Sequence, residues 1–251
     1  MEDSAFACGE ISMALGPKLS KILKLPLSLI PRDAEVPILR GPLRGKKWVV
    51  GAASHAYWVG TYEVDILNAF AASIIAGATV YDVGANVGIY SLLASSMTGP
   101  FGKVYAFEPL ERNLRYLRRH MTLNHVQNCD ILETAVCDTE GTRRFTRAAQ
   151  DFSMGHFSSE GDMLVPSTTL DSCIYGEKRL RPPHVAKIDV EGAELEVLRG
   201  ASRALSEFHP KIFLEIHGTQ LHSDCRAFLV AKGYSIEDKY GRLTATWKIA
   251  A

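Results

Sequence analysis

From Thr79 onward, short apolar runs alternate with amphipathic stretches, and this alternation limits the possible folds more than any other feature of the chain. Strand-like runs occupy Thr79–Val83, Lys103–Phe107, Cys129–Val136, Val185–Asp189 and Ile212–Ile216. Helical periodicity covers Asn86 to Ser96, Leu110 to Asn124, Ala193 to Ser206 and Leu221 to Ala231. Repeated βα units of this length require a parallel sheet with helices on both faces and right-handed crossovers. Tyr234–Asp238 and Thr244–Ile249, joined through Tyr240-Gly241, read as an antiparallel C-terminal hairpin at the sheet edge. The expected fold is therefore α/β, three-layered, doubly wound and mostly parallel.

The sequence ahead of this alternation has a different character. Pro17, Pro26, Pro31, Pro37 and Pro42 break long elements, so residues 1–46 read as a Pro/Gly-rich N-terminal extension and residues 47–251 as the folded domain. Lys47 to Gly51 reads as a short strand, and Glu63 to Ala76 as a helix capped by Gly77. Lys18, Lys21 and Lys24 give residues 11–30 a basic amphipathic look, consistent with packing on the domain or lying on a membrane surface. Within the domain, Thr142–Thr146 is a candidate extra strand. The rest of residues 140–169 reads as a long loop, and Ser153, Met154, His156 and Phe157 make it a candidate lid over a ligand.

Composition excludes several function classes. The chain has 28 Lys and Arg against 28 Asp and Glu, so it lacks the basic excess of a nucleic-acid binder, and no nucleic-acid partner is expected. The five cysteines are odd in number and never fall in Cys-x-x-Cys, which favours free thiols in a reducing compartment. The most apolar window, Ala69 to Val80, is far short of the roughly 20 residues of a membrane helix. Glu2 and Asp3 stand where a signal peptide would be basic. A cytoplasmic location and no integral membrane segment are expected. The arginines Arg112, Arg115, Arg118 and Arg119 read as the solvated face of a helix whose apolar face carries Leu110, Leu114, Leu117 and Met121.

The first strand of the alternation ends in Tyr81-Asp82-Val83-Gly84-Ala85-Asn86-Val87-Gly88. Gly84 and Gly88 allow a sharp turn and close approach of a ligand to the backbone, ahead of the free N–H groups of a helix. The pattern is Gly-x-Asn-x-Gly, neither the Gly-x-Gly-x-x-Gly of dinucleotide sites nor a P-loop. Asp82 would repel a pyrophosphate but could hold an ammonium group, directly or through water. Glu108 follows the second strand, twenty residues beyond Gly88, where an acid accepts hydrogen bonds from ribose hydroxyls. Adenosine, an ammonium group and no phosphates together describe S-adenosylmethionine (SAM).

These segments, with Phe107-Glu108-Pro109, Thr169-Leu170-Asp171, Lys187-Ile188-Asp189-Val190-Glu191-Gly192 and Leu214-Glu215-Ile216-His217, resemble the FkbM-type SAM-dependent methyltransferases. Lys-Ile-Asp-Val-Glu-Gly is the most specific element, and Trp58-Val59-Gly60-Thr61-Tyr62-Glu63 looks like the segment that precedes the domain in such proteins. The resemblance spans roughly residues 57 to 220. It implies a Rossmann-like class I fold with a seven-stranded sheet whose last strand is antiparallel. It also implies methyl transfer to a hydroxyl oxygen of a sugar, polyketide or other small molecule.

Alignment with the motifs assigns SAM to Asp82, Gly84, Asn86, Gly88, Glu108, Pro109, Val136 and Asp189. Val136 would pack against adenine, with Cys137 and Asp138 near its edge. An alcohol is a poor nucleophile until its proton leaves, so a base is sought at the strand ends. His217, with a pKa suited to neutrality, is the first candidate and Asp189 the second. Glu191, Glu215 and His156 are candidate substrate contacts, and Lys187 a candidate ion-pair partner. Asp189, Glu191 and Glu215 could hold Mg²⁺, but their spacing is permissive rather than diagnostic, and no metal ligand is assigned. A nicotinamide-dependent oxidoreductase and a methyltransferase-fold binding module without activity remain alternatives.

Overall fold

The computed structural model describes residues 27–147, 155–157, 161, 163–239 and 242–248. The chain opens with a ribbon of β1 (Glu35–Pro37) and β2 (Lys47–Val49), paired antiparallel. Helices α1 (His55–Val59) and α2 (Val64–Ala72) follow. The alternation then proceeds through β3 (Thr79–Val83), α3 (Ile89–Thr98), β4 (Lys103–Phe107), α4 (Glu111–Leu123) and β5 (Cys129–Leu132). After a small sheet of β6 (Ala135–Val136), β7 (Gly141–Arg147), β8 (Gly155–Phe157) and β9 (Met163–Thr168) comes helix α5 (Leu170–Tyr175). Next come β10 (Val185–Ile188), α6 (Glu194–Gly200), α7 (Ser202–Phe208), β11 (Lys211–Glu215) and α8 (Thr219–Ala231). The chain closes with β12 (Tyr234–Lys239) and β13 (Arg242–Trp247).

The main sheet has seven strands in the order β12-β13-β11-β10-β3-β4-β5. Pairings among β11, β10, β3, β4 and β5 are parallel, whereas β13 runs antiparallel to both β11 and β12. This is the Rossmann-like class I architecture expected from the alternation, with the hairpin at the edge. Strands β4 and β5 extend the sheet to one side of β3, and β10 and β11 to the other. The carboxyl ends of β3 and β10 therefore flank a topological switch point, where ligands of such sheets bind.

Burial on both faces explains why β3, Thr79 to Val83, is buried at every position. One face packs Phe70, Leu92 and Leu117 with Trp48 of the ribbon. The other packs Tyr81, Phe107, Leu198, Ile212 and Leu229. Ile38 and Leu43 belong to the first of these cores, so residues 35–49 pack as part of the same unit. Among the described residues no helix is long and apolar enough to cross a membrane. Cys129, Cys137, Cys173 and Cys225 are free thiols, the last three buried.

Several elements differ from the sequence reading. The third strand stops at Leu132, where Thr134 N–H turns back to Leu132 C=O at 2.9 Å, and Ala135–Val136 pairs instead with β9. The segment read mostly as loop forms β7, β8 and β9, whose buried Phe145 and Val165 pack with Leu110 and Ala135. Their polar faces and Pro166 masked the alternation. Residues 193–206 form two helices rather than one. Helix α2 ends at Ala72 with Ser73 as its cap, short of Gly77. The basic segment 11–30 lies almost wholly outside the described residues, as do Ser153, Met154 and the side chains of His156 and Phe157.

Candidate functional site

The turn after β3 places three residues of five in the left-handed region: Gly84 (φ 79°), Asn86 (φ 50°) and Gly88 (φ 94°). Backbone packing demands glycine at 84, and the left-handed backbone favours it at 88. A Cβ on Gly84 would stand 1.8 Å from the Asp189 carbonyl oxygen, and one on Gly88 would stand 2.4 Å from Leu117 Cδ1. Gly84 and Ala85 N–H donate to the Phe107 carbonyl at 3.0 and 2.9 Å, which locks the turn to the end of β4. Asn86 N–H then donates to Glu108 Oε2 at 2.9 Å. Glu108 Oε1 accepts from Leu110 N–H at 2.8 Å and from the Asn113 amide at 3.2 Å. Burial pushes the Glu108 carboxyl up to about 7, against the lowering pull of these three donors.

A cleft opens over this turn. Gly84 and Asn86 of the turn, Glu108 and Pro109 after β4, Val136 of β6, and Asp189 with Glu191 after β10 line it. Leu110, Ala135 and Phe145 add apolar wall. Among the described residues no Lys, Arg or His lines it. Asp82 and Gly88 are not in the wall. Asp82 is fully buried behind the turn, with Oδ2 accepting from the Ser91 hydroxyl at 2.6 Å and Oδ1 without a hydrogen-bond partner among the described residues. Burial raises its pKa. Cys137 and Asp138 also lie outside the wall. Thr134 and Asn113, which sequence reasoning did not single out, lie in it.

Asp189 and Glu191 of this wall also belong to a cluster of acids around one imidazole. Asp189 Oδ2 binds Lys187 Nζ at 2.9 Å, and Lys187 also lies 4.9 Å over the Tyr90 ring. Burial works to lower the Lys187 pKa, but the Asp189 and Asp82 carboxylates hold it above its ordinary value. His217 Nε2 faces Glu191 Oε2 at 3.3 Å and Asp189 Oδ1 at 4.0 Å. On its other side, His217 Nδ1 meets Glu194 Oε1 at 2.9 Å. Glu194 is fully buried, and its Oε1 also accepts from Gly192 N–H at 3.0 Å. The hydrogen bond to Glu194 raises His217 to about 9, with burial opposing and the Glu191 and Asp189 charges adding to the rise. Burial raises the Glu191 pKa, and its backbone takes the left-handed region at φ 56°.

Glu215 is held elsewhere. It shares Arg242 with Glu63, at 2.8 Å for the Glu215 pair, and Glu63 in turn accepts from the Tyr90 hydroxyl at 2.6 Å. This latch joins the start of α2, the end of β11 and the start of β13. The structure thus brings together Asp189, Glu191 and His217, and separates Glu215 from them. Glu194 was missed by sequence reasoning. Its only signal was a third acid after Asp189 and Glu191, which looks the same as a first-turn helix acid.

Residues 82–236 match the methyltransferase FkbM domain model. The chain belongs to the methyltransferase FkbM domain family. Among curated relatives of this FkbM-family chain, the hexuronic acid methyltransferase AglP of Haloferax volcanii is 29% identical over 140 residues, which cover 55% of each protein. The 31-O-demethyl-FK506 methyltransferase FkbM of Streptomyces tacrolimicus is 27% identical over 177 residues, 56% of this chain and 66% of that one. The chain thus spans a little over half to about two thirds of these relatives. Among solved structures, the precorrin-6y C5,15-methyltransferase of Geobacter metallireducens superposes with a TM-score of 0.50 at 16% identity, covering 74% of this chain and 90% of that one. That likeness concerns the fold alone.

Proposed function

We propose that the chain is a SAM-dependent methyltransferase acting on a hydroxyl oxygen of a small molecule. The observation that carries the reading is the cleft itself. It sits at the switch point of a class I sheet, its wall offers three carboxylates, Glu108, Asp189 and Glu191, and no cation among the described residues, and the last two belong to the cluster with His217. A donor set of this kind suits a cationic nucleoside without phosphates. The pyrophosphate of a dinucleotide would find no basic partner there, which counts against the nicotinamide alternative.

When bound, SAM supplies an electrophilic methyl group for in-line displacement by an acceptor oxygen. Glu108 would accept the ribose hydroxyls, Val136 and Pro109 would enclose the base, and Gly84 and Asn86 would let the ligand lie against the turn. Asp189 belongs both to the cleft wall and to the acidic cluster. It would therefore face the reacting groups on one side and orient His217 on the other. Proton removal from the acceptor falls to Asp189 or to His217 Nε2, which points to the same side as both carboxylates. The imidazole serves as base only when Nε2 is unprotonated, so the transfer should favour alkaline pH if His217 has that part. Glu191 would border the acceptor. The acceptors named for the two curated relatives, a hexuronic acid and 31-O-demethyl-FK506, support a hydroxylated small molecule.

Calorimetric titration with SAM and with its demethylated product, with NAD(H) as control, tests the reading. Micromolar binding of SAM that weakens in Glu108→Ala is expected. Binding of NAD(H) instead, or SAM binding unaffected by the substitution, contradicts it. Transfer of an isotopically labelled methyl group to glycoside or polyketide alcohols separates an active enzyme from a binding module.

A further inference from the structure

We propose that Asp189, Glu191 and His217 form a site for one divalent transition-metal ion, with Glu194 as the carboxylate that orients the imidazole. One ligand atom from each of the three lies within 4.8 Å of the others. The sequence suggested a different trio for Mg²⁺, but Glu215 is committed to Arg242 and an imidazole takes its place. That exchange alters the chemistry. Imidazole suits zinc, iron, nickel or copper, and the two carboxylates also admit manganese, whereas magnesium prefers an all-oxygen set.

Three features of the cluster fit an ion better than a plain ion pair. First, His217 Nε2 stands 3.3 Å from Glu191 and 4.0 Å from Asp189, too far for good hydrogen bonds to both. A cation about 2.1 Å from each ligand atom sets neighbouring ligands roughly 3.0–3.4 Å apart, which small side-chain rotations reach here. Second, the carboxylates outnumber the cations. Asp189, Glu191 and Glu194 meet His217 and Lys187, and Lys187 is already engaged with the other Asp189 oxygen. Third, Glu194 is fully buried, holds His217 Nδ1 at 2.9 Å, and has an Oε2 without a hydrogen-bond partner among the described residues. A buried acid behind a histidine fixes the tautomer that presents Nε2 to a metal.

A second acidic cluster serves as a contrast. Cys137, Asp138 and Glu196 also converge, but Arg143 lies among them, 2.9 Å from Glu196, and supplies the positive charge. Among the described residues no such guanidinium stands among Asp189, Glu191 and His217. Three protein ligands leave positions open on the ion for water or for an acceptor hydroxyl, whose proton the ion would make easier to remove. That last role rests on the methyl-transfer reading, whereas the binding site does not.

The test is titration of metal-stripped full-length protein with Mn²⁺ and Zn²⁺, followed by calorimetry and by the Mn²⁺ paramagnetic resonance signal. One ion per chain is expected. Binding should weaken roughly 10–100-fold in Glu194→Gln, and at least that much in His217→Ala and Asp189→Asn. Glu196→Gln should bind as the unaltered protein does, and circular dichroism confirms that each variant is folded. No saturable binding, or binding that survives His217→Ala and Asp189→Asn, overturns the proposal. SAM titration of the same samples reports separately on the methyl-donor reading, so either can fail without the other.

Discussion

His120 and His217 each lie where a helix meets the sheet, yet their surroundings drive the imidazole in opposite directions. His120 is fully buried on α4, stacked on Trp48 with ring centroids 3.7 Å apart. Its Nε2 accepts from Val49 N–H at 3.1 Å and its Nδ1 donates to the Val87 carbonyl at 2.7 Å. These partners fix a neutral ring, and burial lowers its pKa to about 4. His217 is about one third exposed and faces carboxylates on both ring nitrogens. Burial drives the His120 ring down, and carboxylate partners drive the His217 ring up. Backbone groups that saturate a neutral ring make it structural, whereas acids that outnumber cations leave room for a proton, a metal or a reacting group.

The sharpest break of this comparison is a crossed pair of variants. His217→Ala should reduce methyl transfer by roughly 10²–10⁴-fold and cost about 1–3 kcal/mol of stability, because the buried Glu194 carboxylate loses its imidazole partner. His120→Ala should cost about 3–5 kcal/mol, since it removes a buried ring and strands the Val49 N–H and Val87 C=O groups. Its turnover per folded molecule should be unchanged. Denaturant melts and single-turnover assays on both proteins would show whether the two roles are separate, and equal losses in both assays would end the distinction.

The pH dependence of stability sharpens it further. The His120 pKa is lower in the folded chain than in the unfolded one, so its contribution is complete above about 6.5 and is lost as pH falls toward 4. That loss is worth roughly 3 kcal/mol and should vanish in the His120 variant. In metal-stripped protein His217 acts in the other direction. Its folded pKa is raised, so its contribution is complete below about 6.5 and fades as pH rises through about 9. Solvent screening keeps that term small. Histidine ring resonances followed by NMR should show one group titrating near 4 and another near 9. His120 and His217 titrating together near neutrality would contradict the contrast.

A smaller effect is expected at Glu108. Glu108→Gln should weaken SAM binding by about 1.5–3 kcal/mol. The carboxylate must be ionised to accept two ribose hydroxyls, and burial raises its pKa to about 7. Affinity should therefore strengthen between about pH 6 and about pH 8 in the unaltered protein and lose that slope in the variant. A flat profile in both would mean that the ribose lies elsewhere.

The strand–helix alternation made the main sheet legible, because buried parallel strands leave continuous apolar runs such as Thr79–Val83. The small sheet was not legible. Its strands alternate a few buried residues, Phe145 and Val165, with charged ones, and their pairing depends on Ala135–Val136 breaking away from β5. The cleft was readable through Gly84, Asn86 and Glu108, whose spacing is local. Asp82 carried the right residue type, but its burial behind Ser91 belongs to packing that spacing does not encode. The acid cluster was half visible. Asp189, Glu191 and His217 stood out at strand ends, whereas the shift of Glu215 to Arg242 and the arrival of Glu194 beneath His217 depend on contacts across 27 and 23 residues.

The most direct test is a crystal structure with the demethylated product of SAM bound. Ribose hydroxyls on Glu108, adenine beside Val136, and the sulfur end directed toward Asp189 and His217 are the expected result. A ligand seated in another pocket, or one whose sulfur points away from Asp189, would contradict it.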